Sequence, residues 1–418
     1  MGASVASEPV VLLGFGAAAV SAACALRAEG YAGSITVVTD ADAEPCSPVL
    51  TSYYAGGRIE RAACNPWADL DLTRMVDDVR AHARIASLDV AAHEVVLADG
   101  KHIRYSKLLV ATGAHPVSPG FPQVEGYEPH VLRTMRDAER LRCALASDRT
   151  RDVLVAGASM VALKALEACL DCGKQVTLLG RSPHILRTSA HPIVAQRFEE
   201  ELADRGVMLR LGQTVRAAEL RERPKGDANL LVTLDTGEAR RFDEVVLAQG
   251  VEPNLDFVPH GALEIDRGLV VDRLMRTSAP DVFAAGDVAQ ALDLSTGKAR
   301  VLGLWQNAVR QGRCAGRAMA AELAGRSPDR PYPGSVPRNV IHVGDIVFAS
   351  AGSLDEGAHR RVDVHDSPDA LRVLVYEKRE GVDALVGFNM LTTCPSSGCR
   401  EFDSEVGMCF HKVVNSYL

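Results

Sequence analysis

Residues 8–40 constrain this chain most. An apolar run, Val10-Val11-Leu12-Leu13, leads into Gly14-Phe15-Gly16-Ala17-Ala18-Ala19. An Ala-rich segment follows to Glu29-Gly30, and Ile35-Thr36-Val37-Val38 ends at Thr39-Asp40. That order predicts strand, glycine turn, helix, strand and a terminal carboxylate. Gly14 permits the tight turn and Gly16 lets the backbone approach a pyrophosphate. Ala19 stands where a small residue allows close packing of helix on strand. The helix that starts here aims free N–H groups and its positive dipole end at phosphate. Asp40, 21 positions after Ala19, stands where a carboxylate binds an adenosine ribose. A dinucleotide site on an α/β fold follows.

The same pattern returns once. Asp152-Val153-Leu154-Val155-Ala156 reads as a strand, Gly157-Ala158-Ser159-Met160-Val161-Ala162 as the turn, and Gln175-Val176-Thr177-Leu178-Leu179 as the next strand after a helix to about Cys172-Gly173. Between the copies lie a β-meander over 81–105 and a buried strand, Leu108-Leu109-Val110-Ala111, which stops at Thr112-Gly113. Prolines at 116, 119 and 122 mark a linker. Helices are expected near 49–54, 134–145, 191–205 and 305–323. Strands are expected near 207–211, 230–234 and 244–248, the last ended by Gly250-Val251-Glu252-Pro253-Asn254. A second proline cluster, 328–337, precedes a strand-rich tail that ends in a short helix.

A chain of 418 residues is too long for one core. Its net charge of −8 and 5% aromatic content argue against nucleic acid, membrane surfaces and base-stacking platforms. No apolar run is long enough to span a bilayer. The N-terminus lacks the basic leader of a signal peptide, and ten cysteines in a chain of this size read as reduced thiols. A cytoplasmic location is the expectation.

Three motifs stand in a telling order: Gly14-x-Gly16 with Asp40, then Ala111-Thr112-Gly113-Ala114, then Thr277-Ser278-Ala279-Pro280-Asp281-Val282-Phe283-Ala284-Ala285-Gly286-Asp287. With two tandem Rossmann-like units, they resemble the FAD-dependent pyridine nucleotide–disulfide oxidoreductase superfamily, over nearly the whole chain. The resemblance implies a glutathione-reductase-like α/β fold: a split FAD domain (1–117 and 250–330), an inserted NAD(P) domain (118–249) and a small C-terminal α+β interface domain (331–418), often used for dimerisation. It assigns Gly14, Gly16, Ala19, Asp40, Thr112, Gly113, Gly286 and Asp287 to FAD, and Gly157, Ser159, Arg181 and Gly250 to NADPH or NADH. Leu304-Trp305-Gln306-Asn307-Ala308-Val309-Arg310-Gln311-Gly312 is similar to a run beside the flavin in the branch of NADH oxidases, ferredoxin reductases and nitrite reductase large subunits. Trp305 is then a flavin or nicotinamide contact, or simply a half-buried aromatic at a helix start. The implied activity moves hydride from NAD(P)H to FAD and electrons onward to an acceptor, with a carrier protein or partner subunit favoured. A flavin oxidase, or an electron-transfer subunit of a larger dehydrogenase with a vestigial nicotinamide site, is the alternative. A homodimer or a subunit of a complex fits either.

The chain departs from the pattern in four places. The redox C-x-x-x-x-C of disulfide members is missing, and Val49 stands where single-cysteine members place their thiol. Cys46, three residues earlier on the turn, is not read as a flavin-linked thiol. In the second copy Ser159 replaces a glycine, Lys164 stands where many relatives have Glu, and Gly180-Arg181 replaces the carboxylate that selects NAD. That leaves two readings, NADPH with Arg181 on the 2′-phosphate or a worn nicotinamide site. Cys169 and Cys172 form a C-x-x-C without a second ligand pair and read as packing. Cys394, Cys399 and Cys409 gather in the tail as a dithiol relay, part of a metal site, or neither. No histidine spacing suggests a metal, and none is expected.

Overall fold

The computed structural model describes residues 9–118, 120–222, 228–393 and 399–417. The chain divides into two compact units, Met1–Ser47 with Asn65–His115 and Glu252–Ser335, and Pro48–Cys64 with Pro116–Val251 and Val336–Leu418.

The first unit is built on a five-stranded parallel sheet in the order Val282–Ala284, Lys107–Val110, Val10–Leu13, Ile35–Val38, Asp78–Arg80. Leu12 stands between Val37 and Leu109 in register. Every residue of its first four strands is buried, which is why they read as continuous apolar runs: a parallel sheet is covered on both faces. Lys107 is the charged member, and its ammonium pairs with Asp281 and Glu322. Helices Ala17–Ala28 and Trp305–Leu323 lie against each other, backbone to backbone. A Cβ on Gly312 would sit 2.1 Å from the Ala18 carbonyl oxygen, and one on Gly316 2.4 Å from that of Ala22. The opposite sheet face packs on Tyr105, Phe257 and Leu269. The meander forms as expected, with antiparallel strands Ile85–Asp89, Glu94–Leu97 and His102–Arg104.

The second unit holds a four-stranded parallel sheet, Met208–Leu211, Gln175–Gly180, Asp152–Ala156, Glu244–Leu247. Helices Met135–Ala146, Met160–Asp171 and Pro192–Asp204 contribute Leu141, Leu163, Leu166 and Phe198 to its core. The first of these helices starts in a capping box: Thr134 accepts from Asp137 N–H while Asp137 accepts from Thr134 N–H. A three-stranded antiparallel sheet (Val215–Glu222, Ala228–Leu234, Ala239–Phe242) joins this unit, as does a five-stranded one ordered Arg338–Val343, Ile346–Gly352, Val382–Thr392, Ala370–Arg379, Arg360–Asp366. The terminal helix, Cys399–Tyr417, has 19 residues and is not the short helix expected. Its Val406, Cys409 and Val413 recur at helical spacing and are all buried. Phe410 meets Phe388 edge-on at 5.1 Å. Among the described residues, no helix is long and apolar enough to cross a membrane.

The contact at Gly312 yields a test. Alanine is the better helix former by about 1 kcal/mol, but its methyl meets a main-chain carbonyl that cannot rotate away. Gly312→Ala is expected to lose about 1–3 kcal/mol net, read as a lower urea midpoint of the purified protein.

Candidate dinucleotide sites

In the first unit, the residues singled out in the sequence gather at the carboxyl edge of the parallel sheet, where ligands of open α/β sheets bind. Gly14 follows the central strand with φ +95°, and a Cβ there would lie 2.4 Å from the Ala111 carbonyl oxygen. Its N–H donates to Val38 O at 2.7 Å. Gly16 caps helix Ala17–Ala28 without any side-chain cap bond, and a Cβ there would meet nothing within 4 Å. No side chain caps the first turn and there is room beside Gly16, a helix start that a diphosphate would fit. Ala19 is fully buried on the inner face of the helix. Asp40 lies exposed just past the neighbouring strand.

Thr112 and Gly113 follow the next strand, and Asn254 clasps them. Thr112 Oγ1 donates to Asn254 O at 2.9 Å, Asn254 Nδ2 to Thr112 O at 2.7 Å, and Asn254 N–H to Gly113 O at 3.0 Å. Gly286, with φ +85°, donates its N–H to the buried Gln311 Oε1 at 2.8 Å. That bond holds the Gly286-Asp287 turn against helix Trp305–Leu323. Asp287 is half-buried, and a Cβ on Gly303 would lie 3.7 Å from its carboxylate. Trp305 packs against Trp67, ring centroids 5.1 Å apart and planes tilted by 35°, in a groove shared with Cys24, Val309 and Arg313.

In the second unit Gly157 repeats the geometry of Gly14. Its φ is +141°, its N–H donates to Leu179 O at 2.8 Å, and a Cβ would lie 2.2 Å from Ala248 O. The helix start differs. Ser159 caps it: Ser159 Oγ accepts from Ala162 N–H at 3.4 Å and donates to Ala248 O at 3.3 Å. The serine thus satisfies one donor that Gly16 leaves free in the first copy. Gly180 ends its strand where a Cβ would sit 2.8 Å from Ala158 Cβ, so the missing carboxylate has no room. Arg181 next to it is exposed and has no ion-pair partner among the described residues. Gly250, φ +138°, accepts Val117 N–H at 3.0 Å.

Lys164 has a place of its own. Its ammonium pairs with the buried Glu167, donates to His342 O at 3.2 Å, and lies 4.0 Å from the centre of the Tyr53 ring. Glu167 also takes Arg58 at 2.8 Å and Gly344 N–H at 3.0 Å. The cluster ties segment 48–64 to helix Met160–Asp171. Val49, 55% exposed, puts no thiol at the start of the neighbouring helix Thr51–Ala55. Cys169 is fully buried, and that burial pushes its thiol far up; Cys172 is raised by the same cause. Cys394 lies outside the described residues, as does the side chain of Cys399, and Cys409 is buried with its thiol raised by burial.

Sequence reasoning missed Gln311 as the acceptor for Gly286 and missed Trp67 altogether. Gln311 was visible only as part of the Trp305–Gly312 run. Trp67 sits among turn residues whose sequence carries no pattern.

A glycine turn at the carboxyl edge of a parallel sheet, built twice, with an acidic turn at Asp287 beside the first, defines a two-nucleotide redox protein. Comparison with known proteins agrees: the chain belongs to the pyridine nucleotide-disulphide oxidoreductase family, whose sequence model matches residues 8–312. It is a flavin-dependent NAD(P)H oxidoreductase with FAD and a nicotinamide nucleotide as cofactors. The epsilon subunit of NADH-dependent phenylglyoxylate dehydrogenase from Aromatoleum evansii is 32% identical over 82% of this chain and 79% of its own length. The rubredoxin-NAD(+) reductase of Pseudomonas putida is 29% identical over 88% of this chain and 93% of its own. An engineered water-forming NADPH oxidase, solved with NADPH bound, shares the fold with a TM-score of 0.83 at 22% identity, over 96% of this chain and 90% of that one.

Burial separates the thiols. Cys143 is exposed and Cys169 is not. At pH 8 a maleimide is expected to label Cys143 within minutes in the folded protein and Cys169 only after denaturation, as read by peptide mass mapping.

Proposed function

We propose that this protein is an NADPH-dependent reductase that delivers electrons from FAD to a protein acceptor. The observation that carries the nucleotide choice is Gly180-Arg181: no carboxylate fits at 180, and the guanidinium beside it is exposed, with no ion-pair partner among the described residues. A 2′-phosphate supplies the bidentate anion that an arginine recognises, whereas a ribose 2′-hydroxyl asks for a carboxylate. The engineered NADPH oxidase supports this. There an Asp-Ala-Met run becomes Ala-Arg-Ser, a Pro seven places after that Asp becomes Arg, and a Gly eighteen places before it becomes Ala. This chain has Gly180-Arg181-Ser182, Arg187 and Ala162 at the same spacing.

For FAD, the helix start at Gly16 would receive the diphosphate, Gly14 would set the turn beneath it, and Ala19 would keep the helix close to the sheet. Asp40 would take the adenosine ribose and Asp287 a ribityl hydroxyl, with Thr112, Gly113 and Gly286 shaping the wall between them. Gly157, Ser159 and Gly250 would line the nicotinamide nucleotide. Bound FAD supplies the chemistry, accepting hydride from the nicotinamide and releasing electrons to the acceptor. The chain's own residues need no general acid or base for that; they position and hold charge. The rubredoxin reductase relative supports a small electron-carrier protein as acceptor. The dehydrogenase subunit relative supports a partner subunit in that place. Val340, Val364, Val382 and Met408, large and exposed in the C-terminal segment, support a protein interface there, in a homodimer or a complex. A cytoplasmic location fits the reduced thiols of Cys24, Cys64, Cys143, Cys169 and Cys314.

Two measurements test this reading. Anaerobic mixing with NADPH is expected to bleach the flavin band near ~450 nm, with a second-order rate about tenfold or more above that with NADH. Equal rates, or none, would sink the nucleotide choice. Asp287→Ala is expected to purify with FAD bound about 10- to 100-fold more weakly, the worth of one charge-assisted hydrogen bond. Full, tightly bound FAD in that variant would remove Asp287 from the site.

A further inference from the structure

Residues 181–190 carry both Arg181 and Arg187, and their backbone is held from several directions. Leu186 N–H donates to Ala158 O at 2.8 Å, and Leu186 O accepts from Ser189 and Ala190 N–H at 2.7 and 2.8 Å. Gly212 N–H donates to Ser182 O at 2.9 Å. Leu186 itself is buried with φ +51°. An apolar side chain adopts that left-handed conformation only where its surroundings impose it.

Glu199, on helix Pro192–Asp204, supplies the constraint on the residues just before. Its Oε1 accepts Ile185 N–H at 2.9 Å, and both of its carboxylate oxygens stand 3.2 Å from His184 Nδ1. Its side chain is only 13% exposed, so the carboxylate is spent on the loop and not on solvent. Arg181 and Arg187 are both exposed, and neither has an ion-pair partner among the described residues. Two unneutralised guanidinium groups thus flank a turn whose backbone is fixed by a buried acid.

The geometry points to Glu199 as a positioning residue for nucleotide selection: by fixing His184 and Ile185 it holds Arg181 and Arg187 as a preformed pair of cations for the 2′-phosphate of NADPH. This inference rests on the NADPH reading above. Glu199 touches no nucleotide atom; it lowers the ordering cost that a mobile loop adds to phosphate binding.

The test uses the full-length FAD-loaded protein, with 2′,5′-ADP and 5′-ADP as calorimetric probes and with NADPH and NADH as substrates. Glu199→Ala is expected to weaken 2′,5′-ADP and raise KM for NADPH about tenfold. Binding of 5′-ADP and kcat should stay within about twofold. Glu199→Gln keeps an acceptor for Ile185 N–H and is expected to recover most of the loss. Where the alanine variant does not fold, Glu199→Asp, which keeps the charge and shortens its reach, carries the same expectation. Equal weakening of both probes, or no change in either, overturns the inference while leaving a 2′,5′-ADP-selective wild type intact. A wild type that binds 2′,5′-ADP no more tightly than 5′-ADP overturns the NADPH reading, and the inference with it.

Discussion

Main chain against main chain, at a residue with no Cβ, is the contact on which both strand-to-helix turns depend. At Gly14 a side chain would stand 2.4 Å from Ala111 O, and at Gly157 one would stand 2.2 Å from Ala248 O. Each glycine also has positive φ. The two requirements reinforce each other. A left-handed residue turns the chain sharply from strand to helix, and the absent Cβ lets the neighbouring strand end rise beside it. The helix then begins directly over the sheet edge, with its unsatisfied N–H groups facing outward. The same device recurs where Gly312 and Gly316 let helix Trp305–Leu323 settle onto the backbone of helix Ala17–Ala28. That settling is what brings Gln311 to the Gly286 N–H.

The two copies diverge at the helix start. Gly16 gives its helix no side-chain cap. Ser159 stabilises its own helix by about 1 kcal/mol, as N-caps do, and withdraws one donor in the process. The second copy lacks the carboxylate of the first and carries at the same strand end an exposed arginine with no ion-pair partner among the described residues. The Lys164, Glu167, Arg58 and Asp171 cluster is engaged in protein contacts.

Legibility in the sequence followed the local rules. The glycine turns could be read because only glycine tolerates their φ and their crowding. The parallel strands could be read because burial on both faces leaves uninterrupted apolar runs. The Cys169 and Cys172 pair could be read as packing because no partner ligands lie at metal spacing. Contacts made across long separations left no such mark. Asn254 clasping Thr112, Trp67 under Trp305 and Tyr53 under Lys164 each join residues that local periodicity cannot connect. Leu186 is the clearest case: nothing about a leucine announces a left-handed backbone. The terminal helix is longer than the short one expected, and Val406, Cys409 and Val413 are buried together along it.

By itself the sequence determined the fold class, the family and the presence of two glycine turns at strand ends, because those rest on backbone chemistry that only particular residues satisfy. Tertiary structure alone decided what surrounds each turn. It showed Gly16 opening onto space, Ser159 filling its own helix end, and Gly180 lodged against Ala158 with no room for an acid. Those properties depend on what stands within a few ångströms across the fold, and a residue's neighbours in space are not its neighbours along the chain.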